Sequence, residues 1–129
     1  MNIIICGAGR VGFTIAKQLS EQGHSITVID TSSEDIQKID DALDVKAIVG
    51  KATYPTILEK ANAAETDMII AVTRNDEINM VICQIAFSIF NIPKKIARIR
   101  SQDYLNPKFT TVYNKENLPI DVIISPELE

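Results

Sequence analysis

Apolar residues in this chain follow two alternating patterns. Short runs rich in β-branched residues recur at NIIIC (2–6), SITVID (25–30), KAIVG (46–50), DMIIAV (67–72), KIARIR (95–100) and IDVII (120–124). Each has the length of a strand. The longer stretches between them space apolar residues three or four apart, the period of a helix. Strands that alternate with helices build βαβ units, which join into a parallel sheet through right-handed crossovers. Several runs are apolar at successive positions, as a strand must be when helices cover both faces of its sheet. The expected fold is α/β: one domain over residues 1–129, with a doubly wound parallel sheet of about six strands and helices on both faces.

The first helix is the plainest. Val11, Ile15 and Leu19 form an i, i+4, i+8 stripe with Ala16 beside it, and Gly23 is placed to end it. Thr31, Ser32 and Ser33 offer caps for a second helix, with Glu34 and Asp35 in its first turn. A short third helix is expected over PTILEKANA (55–63). The fourth, DEINMVICQIAFSIF (76–90), is apolar nearly all round. A helix lying on one sheet face needs one apolar stripe. This one reads either as a deeply buried crossover or as a helix with a second face for a subunit interface. Pro126 blocks continuation of the last strand. The closing Leu128-Glu129 reads as a cloning scar on a chain that is naturally longer.

Composition narrows the function classes. Hydrophobic residues make up 46% and charged residues 23%, as in a soluble globular domain. A net charge of −4 argues against nucleic acid, whose binding depends on neutralising phosphates. The opening apolar run lacks the basic lead of a signal peptide, and no stretch reaches the roughly 18 apolar residues of a membrane span. The expected location is the cytoplasm, with any membrane role exercised through a partner. Cys6 and Cys83 lie in apolar elements and read as small packing residues. The single histidine, His24, follows Gly23 in a turn and reads as a solvated loop residue.

Gly7, Gly9 and Gly12 form a G-x-G-x-x-G directly after the first strand and at the start of the first helix. In that context the first glycine permits a tight turn, the second lets backbone approach a pyrophosphate, and the third lets helix and strand pack closely. The helix start adds free N–H groups and a positive dipole end. Asp30 ends the second strand, where a carboxylate can accept both hydroxyls of an adenosine ribose. It would repel a 2′-phosphate, and no basic residue follows before Lys38, so NAD(H) is favoured over its phosphorylated form. The alternative for Asp30 is a helix cap.

The chain has four arginines, Arg10, Arg74, Arg98 and Arg100, each at or just beyond the carboxyl end of an expected strand. That edge is where open α/β sheets bind ligands. Arg10 falls in the first turn of a helix, which suits a cation when an anion lies opposite. Arg98 and Arg100 are expected on one side of the fifth strand. Arginine suits bidentate phosphate contacts, but each could also be a solvated loop-edge residue. Thr73 and Asn75 either contact a ribose or, for Thr73, cap the next helix. Asp76 and Glu77 read as dipole partners at that helix start. No Cys-His, Ser-His or Tyr-x-x-x-Lys arrangement accompanies this cofactor site, and no metal cluster is visible.

Together, IIICGAGRVGFTIAKQLSEQGHSITVID, AIVGKATYPTILEKANAAETDMIIAVTRNDEINMVICQIA, IARIR and VIISPE resemble the TrkA N-terminal domain, the RCK/KTN family of regulators of potassium conductance, over essentially the whole chain. The resemblance implies a Rossmann-like domain that binds NAD(H) or ATP. It implies a peripheral protein on the cytoplasmic face of the cell membrane that assembles as homo-oligomeric dimers or rings. Its partner would be an integral-membrane potassium transporter subunit of Trk or Ktr type. By position, Gly7, Ala8, Gly9, Arg10, Val11 and Gly12 match the phosphate loop, and Asp30 the ribose acid. Thr73 and Arg74 match the loop after the fourth strand, and Arg98 a nucleotide-contacting arginine. The run SPE (125–127) resembles a lead into a crossover helix that is missing here, which implies a fragment of a longer chain. One departure falls after the third strand, where the family often has Gly-Asp and this chain has Gly50-Lys51. A lysine cannot accept a bond from an adenine amino group. The expectation is a non-enzymic NAD(H)-binding regulatory domain of a potassium uptake system. An ATP/ADP sensor of the same fold and the cofactor domain of an NAD-dependent dehydrogenase remain as alternatives.

Overall fold

The computed structural model describes residues 1–125, so the expectations for Pro126, the end of SPE and Leu128-Glu129 lie outside the described residues. All six apolar runs form strands: β1 (Asn2–Cys6), β2 (Ser25–Asp30), β3 (Lys46–Val49), β4 (Met68–Ala71), β5 (Lys94–Arg98) and β6 (Val122–Ile124). They pair in parallel in the order β3-β2-β1-β4-β5-β6. The central strand shows why its sequence is apolar throughout. Ile3 and Ile5 face one core and Ile4 and Cys6 the other, and all four are buried.

Helices α1 (Arg10–Glu21) and α2 (Ser33–Ala42) cover one face, burying Ala16, Ile36 and Ile39 against Ile26 and Val28. Helices α3 (Pro55–Lys60) and α4 (Asp76–Ser88) cover the other, burying Leu58, Ile82, Cys83 and Ala86 against Ile29 and Ile69. A short α5 (Gln102–Leu105) and a 3₁₀ segment (Pro107–Tyr113) lead into β6.

Gly23 ends α1 with a φ of 88°. Its N–H donates to the Ser20 carbonyl and that of His24 to the Leu19 carbonyl, the double bond of a Schellman motif. Ser32 caps α2 by accepting from the Asp35 N–H, with Glu34 and Asp35 in the first turn as expected. The third helix is shorter than expected. Asn62 adopts the left-handed φ of 64°, so α3 stops at Lys60 and a separate 3₁₀ turn covers Ala63–Glu65. His24 is half-buried rather than free in solvent, its Nδ1 lying 3.2 Å from the amino terminus. Burial pushes both thiols up, that of Cys83 to about 12, so neither carries thiolate at neutral pH.

Helix α4 is not the deeply buried crossover that one reading expected. Its Ile82, Cys83 and Ala86 are buried, but Ile78, Val81 and Ile89 are 42%, 46% and 55% exposed. Together with half-buried Ile85 they line a second apolar face at i, i+3, i+7 and i+11. Among the described residues no helix is long and apolar enough to cross a membrane.

Candidate functional site

The chain leaves β1 toward β2 and β3, then returns to β4 on the other side of β1. At such a reversal the loops at the carboxyl ends of two neighbouring strands diverge and leave a crevice. A cleft of about 890 Å³ opens there, a size that suits a small-molecule ligand.

Its β1–α1 wall is made of backbone. Gly7 has a φ of 116°, and a Cβ there would stand 2.8 Å from the Val72 carbonyl oxygen. A Cβ on Gly12 would fall 1.8 Å from the Gly7 carbonyl oxygen, so helix and turn touch directly. Gly9 differs. A Cβ there meets no protein atom within 4 Å, yet the residue lines the cleft. The protein's own packing therefore does not require glycine at this position. Gly9 also provides no side-chain cap for α1. The first helical bond runs from the Phe13 N–H to the Gly9 carbonyl, so the N–H groups of Arg10, Val11 and Gly12 have no helical partner. Helices α2 and α4, by contrast, are capped by Ser32 and Asn75.

Asp30 closes this half. Its Oδ2 accepts the Ala8 N–H at 2.7 Å and its Oδ1 the Ser32 N–H at 2.8 Å. Each oxygen of an ionised carboxylate keeps further acceptor capacity, enough for a pair of ribose hydroxyls. The cap of α2 is Ser32, not Asp30. The Gly50 N–H donates to the Asp30 carbonyl at 2.9 Å and brings the loop after β3 to the cleft. There Lys51 lines the wall with its Nζ 5.4 Å from the centre of the Tyr54 ring.

The β4–β5 wall is made of side chains. Asn79, fully buried on α4, is its hub. Its Oδ1 accepts the Thr73 N–H at 3.0 Å and lies 2.6 Å from the Thr73 hydroxyl. Its Nδ2 donates to the Thr73 and Arg98 carbonyls at 3.2 and 2.8 Å. Thr73 is therefore engaged with Asn79, and Asn75 is the cap of α4. Asp76 also exceeds its expected part as a dipole partner, because its carboxylate accepts the N–H groups of Arg100 and Ser101. Arg98 lines the cleft, and its Nε is buried without a hydrogen-bond partner. A buried orphan donor of this kind marks a place for an acceptor.

Of the expected site residues, Gly7, Gly9, Arg10, Val11, Asp30, Thr73, Arg74 and Arg98 line the cleft. Ala8 and Gly12 do not; Ala8 acts through its N–H on Asp30, and Gly12 through its contact with Gly7. Arg100 does not share the cleft with Arg98 either. Strand β5 ends at Arg98, and beyond it the Arg100 Nη2 donates to the Arg74 carbonyl as a strut. Asp35, Thr53, Ile78 and the hub Asn79 went unanticipated as site elements. Its place in the loop after β3 could have pointed to Thr53; nothing local marks Asn79.

The model of the TrkA-N domain family matches residues 3–126. The chain belongs to the TrkA-N family. It is 46% identical over 129 residues to the Trk system potassium uptake protein TrkA of Azorhizobium caulinodans, covering 100% of this chain and 28% of that protein. It is 45% identical over 127 residues to the protein of the same name from Haemophilus influenzae, covering 98% of this chain and 28% of that one. The chain thus spans little more than a quarter of these relatives. Among solved structures, the TrkA-N domain of the inner membrane protein YbaL from Escherichia coli superposes with a TM-score of 0.83 at 21% identity, over 98% of this chain and 88% of that one. The AMP-bound Kef C-terminal domain of Shewanella denitrificans matches with 0.70 at 25% identity, over 81% and 65%. The GsuK channel bound to NAD matches with 0.71 at 20% identity, over 80% and 18%.

Proposed function

We propose that this TrkA-N domain binds an adenine nucleotide in the cleft, NAD(H) before ATP or ADP. We propose further that the bound state regulates a potassium uptake system through a membrane transporter subunit on its cytoplasmic side. One observation carries the reading: the cleft has ligand-shaped gaps on both walls. The open floor at Gly9 and the uncapped start of α1 suit a pyrophosphate. The spare acceptor capacity of Asp30 suits a ribose, and the orphan Nε of Arg98 suits a further acceptor across the cleft. Names of relatives add support: the matched full-length proteins are potassium uptake proteins, and two structures of this fold hold AMP and NAD.

Each residue has a binding part and none has a catalytic one. The amides of α1 hold phosphate oxygens, Asp30 orients the ribose, and Arg10, Arg74 and Arg98 neutralise charge. Regulation then follows from linkage, since a ligand shifts two arrangements only by its difference in affinity for them. Helix α4 is placed to relay that difference. Ile78 belongs both to the cleft wall and to the open apolar face, and Asn79 ties the helix to Thr73 and Arg98. That face is the proposed contact between copies in a homo-oligomer.

Calorimetry with NADH, NAD, ATP and ADP tests the reading. Saturable binding is expected, and Asp30→Ala should weaken the dinucleotides about tenfold, the worth of hydrogen bonds to a charged group. Binding of none of the four overturns it. Sedimentation tests the α4 contact, and a strict monomer at high concentration removes it.

A further inference from the structure

A second cavity, of about 320 Å³, lies at the opposite end of the sheet, among the strands' amino-terminal ends. It arises because α3 is only six residues long and the chain turns away at Asn62, leaving the start of β2 and β3 uncovered on that face. Ile4, Thr27 and Lys46 are register partners on adjacent strands, so their side chains share the face on which α3 packs. They line the cavity together with Ser25, and Lys60 and Asn62 line it at the carboxyl end of α3.

Its chemistry departs from that of the chain. The protein has 17 acidic residues and a net charge of −4, but the cavity is lined by two lysines and by no aspartate or glutamate. Neither Lys46 nor Lys60 has an ion-pair partner among the described residues, and the Ser25 and Thr27 hydroxyls make no hydrogen bond there. Two ammonium groups and two free hydroxyls around a concave, partly apolar floor form a donor-rich lining that carries positive charge and no carboxylate. Lysine stems can lie along such a floor while the charged ends stay at its solvent-facing rim.

We infer that this cavity is an anion site for a small phosphate or carboxylate ligand, separate from the nucleotide cleft. Lys46 and Lys60 supply the charge, and Ser25 and Thr27 the directional hydrogen bonds. It rests on the cavity alone and stands whether or not the cleft binds nucleotide.

The test is an amide chemical-shift titration of the purified protein with inorganic phosphate and, separately, with succinate, at constant ionic strength set by chloride. Saturable shifts are expected at Ser25, Thr27, Lys46, Lys60 and Asn62 with either probe; the tighter one identifies the ligand class. The double variant Lys46→Gln/Lys60→Gln should lose about tenfold or more in affinity, since a charge-assisted contact is removed at each position. The variant should bind NADH as the parent does. The inference is overturned by shifts that rise linearly up to roughly 10 mM without saturating, a regime of ion screening only. It is equally overturned by shifts confined to Gly7–Gly12, which would place phosphate in the nucleotide cleft, or by an unchanged affinity in the double variant.

Discussion

The two walls of the cleft are built on different principles. On the β1–α1 side the proposed binding groups are backbone amides and the Asp30 carboxylate, and the glycines there matter by lacking side chains. On the β4–β5 side the proposed binding groups are arginine side chains and loop residues, held by the buried amide of Asn79 and the carboxylate of Asp76. The first wall is held by close backbone packing at Gly7 and Gly12. The second hangs on α4, whose other face is open. On the proposed reading, a ligand spanning both would tie the closely packed wall to the one carried by α4.

The largest expected effect separates folding from binding within the first wall. Gly12→Ala drives a Cβ into the Gly7 carbonyl, and the expected loss is about 3 kcal/mol or more, at the upper end of overpacking costs, read by urea unfolding. Gly9→Ala should leave stability within about 0.5 kcal/mol, because nothing in the protein occupies that space, yet weaken nucleotide binding. Equal destabilisation by both would mean that Gly9 is as structural as Gly12.

Next in size comes the second wall. Asn79→Ala leaves the Thr73 N–H and the Arg98 carbonyl without partners, at an expected cost of about 2–3 kcal/mol. It should loosen the contribution of Thr73 and Arg98 to binding while sparing that of Gly9 and Asp30. A variant as stable as the parent would show that Asn79 is not the hub.

The smallest effect has the sharpest sign. Arg98→Met removes a buried donor that has no partner, so the ligand-free protein should gain up to about 1 kcal/mol. Affinity for the nucleotide should fall at the same time. Loss of both stability and affinity would make Arg98 a structural residue.

The same contrast decided what the sequence could reveal. The first wall is legible because its demands are local: a turn that needs positive φ, a helix pressed on a carbonyl, an acid one strand away. Each leaves a fixed residue at a fixed spacing, and so Gly7, Gly9, Gly12 and Asp30 stand out. The strands are legible for a related reason, since burial on both faces demands unbroken apolar runs. The second wall depends on pairings across 6 and 19 positions through Asn79, a residue embedded in an otherwise apolar helix. Its partners exist only after folding. Arg100 was misplaced because strand alternation was extended past the last paired residue, where the backbone turns to meet Asp76. The break of α3 at Asn62 was hidden because asparagine is tolerated in a helix and also favoured in the left-handed region.

The most direct test maps NADH onto both walls in one experiment, by amide chemical shifts on the isotope-labelled protein. The account predicts saturable shifts at Gly9, Arg10, Val11 and Asp30 together with Thr73, Asn79 and Arg98. Saturable binding that leaves both sets unmoved, or that moves residues outside the cleft alone, would contradict it.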